Sequence, residues 1–277
     1  TYNITMLWVG MAICIPSLSL SSGLIGMGVS PWLAVLNVAL GNLIVLIPIQ
    51  MNSNVGTKYG IPFPLFARLT FGSVGAHLPA LLRALTACGW TSVQAWVGGG
   101  AVGAIIGIFI KKFADQTWMV SIPSWGGMTP FMGYIICILF IGWVAYNGMD
   151  RIKLIQNLGG PLLIAIMIAL RIWSFVLVKD TMGFWEVMNQ PNDAALIESS
   201  GGWWMVYMSG LMGNIAFWAT MALNIPDFSR YAQSQKSQFW GQMLGMPLPM
   251  AFCAFVGAYY AQATKLAFGE ALFDPTG

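Results

Sequence analysis

The stretch LWVGMAICIPSLSLSSGLIG, Leu7 to Gly26, decides the fold. About 20 apolar residues in helical conformation cross a bilayer, and this run has that length and character. Yet Pro16 stands in its middle, and a proline has no amide hydrogen to give to the preceding turn. Ser17, Ser19, Ser21 and Ser22 follow it, with Gly10 and Gly23 on either side. The run reads as a candidate broken helix, with an ordinary proline kink as the plainer alternative. Unwound backbone at membrane depth is tolerated only where it lines a cavity or is buried in protein. Freed carbonyls at such a break can coordinate a cation, and the half-helix ends can face a substrate.

The rest of the chain shares this apolar character. Of 277 residues, 57% are hydrophobic and 8% are charged, and the mean hydropathy is +0.72. A soluble domain carries about 25% charged residues, so polar surface is too scarce to coat a water-soluble globule. The sequence predicts an all-α integral membrane protein. The net charge of +3 is scattered, with no basic face for nucleic acid. Cys14, Cys88, Cys137 and Cys253 lie far apart in apolar runs and read as small buried hydrophobes. The single histidine, His77, starts a helix beside Pro79 with no cysteine or carboxylate cluster near it, so a zinc or iron site has no support.

Seven spans emerge from hydropathy. They run from about Ile4 to Met27, Pro31 to Met51, Leu78 to Ile110, Thr129 to Tyr146, Leu154 to Val178, Trp203 to Ile225 and Phe239 to Phe268. The segment Asn52 to Gly72 reads as a loop, with FPLFARL as a short interfacial helix inside it. With the N-terminus inside, seven of the twelve lysines and arginines face the cytoplasm, which sets the expected orientation. No charged leader precedes the first run and no small-residue cleavage site follows it, so that run is expected to be a retained span. The chain starts at Thr1, which suggests a trimmed or fragmentary sequence.

The third span reads ALTACGWTSVQAWVGGG, Ala84 to Gly100. Trp90 and Gln94 are four residues apart and share one helix face. A tryptophan offers a flat face for stacking, and a glutamine offers both a donor and an acceptor. Together they suit a small planar ring bearing amide groups; a helix–helix hydrogen bond with a packing tryptophan is the other reading. Gly99, Gly103 and Gly107 repeat every four residues, a spacing that lets helices approach closely. In the sixth span, Gly210, Gly213 and Asn214 precede Phe217 and Trp218 and read as a second interruption. Arg171 in the fifth span is expected to snorkel to the outer interface. No Ser/His/Asp, His-Glu or paired-acid constellation and no phosphate-binding loop appears, so neither a classical enzyme nor ATP-driven transport is encoded here.

From Gly56 to Gly99, GTKYGIPFPLFARLTFGSVGAHLPALLRALTACGWTSVQAWVGG, the sequence resembles the nucleobase–cation symporter-1 family. NIPDFSRYAQSQ, Asn224 to Gln235, supports the resemblance, which extends over essentially the whole chain. The pattern looks most like the bacterial allantoin, hydantoin and uracil branch. The resemblance implies a LeuT-like fold of about twelve helices, built as two inverted five-helix repeats with helices one and six discontinuous. On that basis 1–277 is a single transmembrane domain. The first repeat is about 1–180 and the second begins at about 200; about seven of the twelve helices are expected here, with the eighth and later ones missing from the chain. The implied substrate is a nucleobase or cyclic ureide such as allantoin, hydantoin or uracil, imported across the inner (plasma) membrane. The resemblance further implies that Trp90 stacks on the ring, Gln94 hydrogen-bonds it and Trp218 packs on the other side. Phe217 stands where a relative has glycine, and Cys14 where a hydantoin-transporting relative has glutamine. The carbonyls of Gly10 and Ile13 would hold a coupling sodium; a proton is the alternative ion, and no other cofactor is implied. A second expectation is a truncated, non-transporting relative that acts as a membrane binding or assembly protein.

Overall fold

Pro16 does break the first span. In the computed structural model, which describes residues 1–109, 128–179, 182–269 and 271, α1 (Tyr2–Ala12) and α2 (Ile15–Gly26) meet at a bend of 53°. Between them, Ile13 and Cys14 are extended, with φ/ψ of −85°/93° and −150°/163°. Pro16 lies in the first turn of α2, where its missing N–H leaves no gap in the helix. Its cost falls on the carbonyls of α1 instead.

Every regular element among the described residues is a helix. After α2 come α3 (Pro31–Tyr59), α4 (Phe63–Gly75), α5 (His77–Phe109), α6 (Met128–Tyr146) and α7 (Met149–Val178). Two short helices, α8 (Phe184–Met188) and α9 (Ala194–Ser199), precede α10 (Trp203–Asn224). The one-turn α11 (Pro226–Ser229), then α12 (Gln235–Gly245) and α13 (Pro247–Phe268) complete the order. By length and composition, four helical stretches are fit to cross a membrane: α3, α7, α10 and the α12–α13 run. The bent α1–α2 pair makes a fifth. The remaining expected spans correspond to α5, 33 residues long, and to the apolar Phe131–Tyr146 part of α6.

The chain divides into two compact units. The first holds Thr1–His77 and the described residues from Ile155 onward; the second holds Leu78–Leu154. In the first unit α3 is the central post. It packs against α10 and α13, while α13 also runs along α2, and α1 lies on α12. Trp8, Val38, Val45, Ile49, Trp218 and Met250 form the largest buried cluster. Gly257 of α13 seats directly on the α2 backbone: a Cβ there would lie 2.6 Å from the Leu18 carbonyl oxygen. In the second unit, a Cβ on Gly99 would lie 2.5 Å from the Tyr134 nitrogen, so α5 and α6 touch backbone to backbone. The Gly99 part of the glycine repeat is thus a helix-packing device.

Three sequence expectations are corrected. The sixth span is not interrupted at Gly210–Asn214; α10 is continuous helix there, and the chain turns only at Ile225–Pro226. Gly210 gives room to Leu24, and the Asn214 amide donates to Asn37 Oδ1 at 2.8 Å, so these residues serve packing against α2 and α3. The second span does not end at Met51; α3 runs on to Tyr59 and stops at Gly60 in a left-handed cap with φ 68°. Cys88 is exposed rather than buried, whereas Cys253 is buried and Cys14 and Cys137 are half-buried. The expected loop between the third and fourth spans, 111–127, lies outside the described residues.

Candidate substrate and cation site

The break between α1 and α2 leaves backbone carbonyls without their helical donors. Ile13 N still donates to Val9 O at 3.0 Å, and Ser17 N and Leu18 N donate to Cys14 O. Between these bonds, no backbone N–H among the described residues reaches the carbonyls of Gly10 or Ile13. Among the described residues, the Ala12 carbonyl, which Pro16 cannot serve, receives only the Cys253 thiol at 3.8 Å. A buried carbonyl left unpaired costs about 1–3 kcal/mol, so a break of this kind suits an oxygen-seeking cation. Gly10 and Ile13 are the two positions that the family resemblance implies for that role, and both carbonyls face the break.

Cys14 sits at the same point, half-buried, with its sulfur 3.1 Å from Ser17 Oγ. Phe217 and Trp218 come from the middle of α10. Their rings stand edge to face at 5.2 Å. Trp218 is also edge to face with Trp8 of α1, at 5.3 Å. Aromatic pairs in this geometry add about 0.5–1.5 kcal/mol beyond the area they bury. Trp218 is 5% exposed, and its indole N–H has no hydrogen-bond partner among the described residues. It is an apolar wall with one unspent donor.

Trp90 and Gln94 belong to the second unit. Both are half-buried and share one face of α5, as their spacing requires. Trp90 is engaged in contacts of its own. The Gln94 carboxamide makes no hydrogen bond among the described residues, so its donor and acceptor are both open. The structure therefore brings Cys14, Gly10 and Ile13 together at the break and pairs Phe217 with Trp218. It keeps Trp90 with Gln94 on one face of α5.

Two residues escaped the sequence reading. Trp8 closes one side of Trp218, and it stands in the run that precedes the break. Gln156 of α7 lies with its side-chain amide directly against Gly10, where any Cβ would collide with it. A glutamine inside an apolar span, IKLIQNLGGPLL, is itself a signal, because polar groups within membrane segments face protein or cavity rather than lipid.

Comparison with known proteins bears on this arrangement. Residues 1–277 match the family described as permease for cytosine/purines, uracil, thiamine, allantoin. The chain is 35% identical over 275 residues to the purine-uracil permease NCS1 of Arabidopsis thaliana, covering 99% of this chain and 44% of that protein. It is 31% identical over 274 residues to the allantoin permease of Bacillus subtilis, covering 98% of this chain and 54% of that protein. The chain thus spans about half the length of these relatives. Among solved structures it is similar to MHP1, a nucleobase-cation-symport-1 family transporter, in a closed conformation with bromovinylhydantoin bound. The TM-score is 0.74 at 19% identity, over 98% of this chain and 58% of that one. An inward-facing conformation of the same transporter gives a TM-score of 0.67. At this identity the likeness establishes the fold, which is LeuT-like and all-α. The chain is that of a multi-pass membrane protein and belongs to the family of permeases for cytosine/purines, uracil, thiamine and allantoin.

Proposed function

We propose that the protein containing this chain is a secondary-active, cation-coupled permease that imports a nucleobase or a related cyclic ureide such as allantoin, uracil or a hydantoin. The observation that carries this reading is the 53° break between α1 and α2, with the Gly10 and Ile13 carbonyls left without backbone donors. Paired free carbonyls at membrane depth are a cation site in the making. In the second unit Trp90 offers a flat face for a planar ring and Gln94 would read its amide edge; in the first, Trp218 offers an apolar face, with Phe217 against it and Cys14 at the helix break. The unspent Trp218 N–H and the open Gln94 amide are the groups that would gain partners on loading.

Sodium or a proton couples through the break. The first of two inverted repeats occupies about 1–180, and the second begins at about 200. The protein resides in the plasma (inner) membrane with its N-terminus inside. Coupling requires that ion and substrate each bind one state more tightly than the other. The test is uptake of labelled allantoin, uracil and benzyl-hydantoin by cells expressing the full-length protein, with sodium and proton gradients imposed separately. Accumulation of one compound that follows one gradient supports the reading. Equilibration without accumulation under either gradient refutes coupled transport.

A further inference from the structure

A cavity of about 390 Å³ with mixed polar and apolar walls lies within the first unit, at the end where α2 finishes and α13 finishes. Pocket volumes of about 300–1,000 Å³ suit small-molecule ligands. Ile25 and Leu266 give it apolar walls, and Gln190, Asn192, Asp193, Gln262 and Lys265 give it polar ones. With the N-terminus inside, α2 and α13 both run outward, so this cavity opens on the outer face.

Gln262 is the informative residue. It is 8% exposed, sits on α13 among buried neighbours, and makes no hydrogen bond among the described residues. Its carboxamide lines the cavity with neither donor nor acceptor used within the protein, so both are open to a ligand that offers a matching pair. The surrounding groups are half-spent in the same sense. Gln190 uses its amide nitrogen on Glu186 O at 3.1 Å, leaving its carbonyl oxygen. Asn192 uses its carbonyl oxygen to accept from Ser30 N at 2.8 Å, leaving its amide nitrogen. Asp193 and Lys265 face each other at 3.5 Å and neutralise one another. The cavity therefore offers both donors and acceptors and no net charge, which suits a small neutral molecule with an amide or imide edge.

The frame is preformed. Asp193 N donates to Gly28 O at 2.8 Å, and Trp32 Nε1 donates to Asn189 Oδ1 at 3.1 Å, so segment 189–193 is stitched to the α2–α3 turn. Gly28 has φ +90°, and a Cβ there would lie 2.7 Å from the Asp193 carbonyl oxygen. The larger cleft at the other end of the unit, about 460 Å³, differs. There Gln238 already gives its amide to Gln50, Ser53 and Gln242.

We propose that this cavity, whose lining includes neither Trp90 nor Gln94, is an outer binding site for a neutral cyclic ureide or nucleobase in which Gln262 reads the ligand's amide edge. This inference rests on the permease reading, because it assigns the same substrate class to a second place. The test is saturation binding of labelled allantoin and uracil to the full-length protein in lipid nanodiscs. The wild type is expected to bind two molecules per chain. Gln262→Leu and the near-isosteric Gln262→Glu should each weaken one of them about tenfold or more. Trp90→Ala should leave that one in place, and the Glu variant keeps the test open if the Leu variant fails to fold. A single binding event, abolished by Trp90→Ala and unchanged by both Gln262 variants, overturns the outer site and leaves the permease reading standing. Absence of binding of either compound to the wild type overturns both.

Discussion

Replacing Gly257 and Gly23 by alanine should move stability in opposite directions, although the chemical change is the same. Gly257 of α13 faces α2 so closely that a Cβ would lie 2.6 Å from Leu18 O and 2.7 Å from Ser21 Oγ. The Leu18 carbonyl is not free to yield, since the Ser21 and Ser22 hydroxyls both donate to it at 3.2 Å. To restore ordinary contact, the two helices must part by about 0.8 Å. Overpacking of this kind costs about 1–3 kcal/mol, while alanine regains about 1 kcal/mol of helix propensity. The net expectation for Gly257→Ala is a loss of about 1 kcal/mol. Gly23 lies in α2 itself with no heavy atom within 4 Å of its would-be Cβ. Gly23→Ala should therefore show only the propensity gain, up to about 1 kcal/mol. The assay is thermal unfolding of the full-length protein in one detergent, followed by loss of monodisperse material. The midpoint should fall for Gly257→Ala and hold or rise for Gly23→Ala. A shift of both variants in the same direction would refute the claim that α2 and α13 meet through Gly257.

Arg171 has its guanidinium carbon 3.6 Å from the Tyr259 ring centroid and 4.9 Å from that of Phe184. Lysine cannot stack in this way, so Arg171→Lys should cost about 1–2 kcal/mol and raise hydrogen exchange in Phe184–Met188, which unchanged protection would contradict. Gln238→Leu removes the donor shared by Gln50, Ser53 and Gln242. It should destabilise by about 2 kcal/mol, read as a lowered thermal midpoint; a neutral result would mean that water replaces the network. Trp218→Phe deletes an indole N–H that has no partner among the described residues. The ligand-free midpoint should fall because the buried ring loses packing, while the stabilisation by added substrate also shrinks, and a full ligand-induced shift would show that the N–H is not used. Pro16→Ala returns an N–H to the Ala12 carbonyl and should strengthen helix across the break. Cation-dependent stabilisation should fall with it, as measured by melting with and without sodium.

The broken first span was legible because a proline acts locally: it withholds one hydrogen bond wherever it stands. The shared face of Trp90 and Gln94 followed from their four-residue spacing in the same way. Features that depend on distant partners were not legible. NSNVGTKY reads as a loop, yet α3 carries it as helix because Asn52 donates to Ala222 O, Ser53 to Gln242 Oε1 and Thr57 to Ser229 O. The glycines of the sixth span suggested a second break, whereas Gly210 makes room for Leu24 and leaves α10 continuous. Arg171 pointed to the outer interface; its aromatic partners come from α8 and α13 and are far from it in sequence. Gln262 went unnoticed for the same reason, since its neighbours Gln190 and Asn192 lie on a segment some seventy residues earlier.

The central claim is that Trp90 and Gln94 bind a nucleobase or cyclic ureide whose uptake is driven by a cation. The most direct measurement is sodium- and proton-dependent uptake of labelled allantoin and uracil by the full-length protein, beside Trp90→Ala and Gln94→Ala variants expressed to the same level in the membrane. The account predicts gradient-driven accumulation of one compound by the wild type and a fall of about tenfold or more in each variant. Accumulation with unaltered kinetics in both variants would contradict the site.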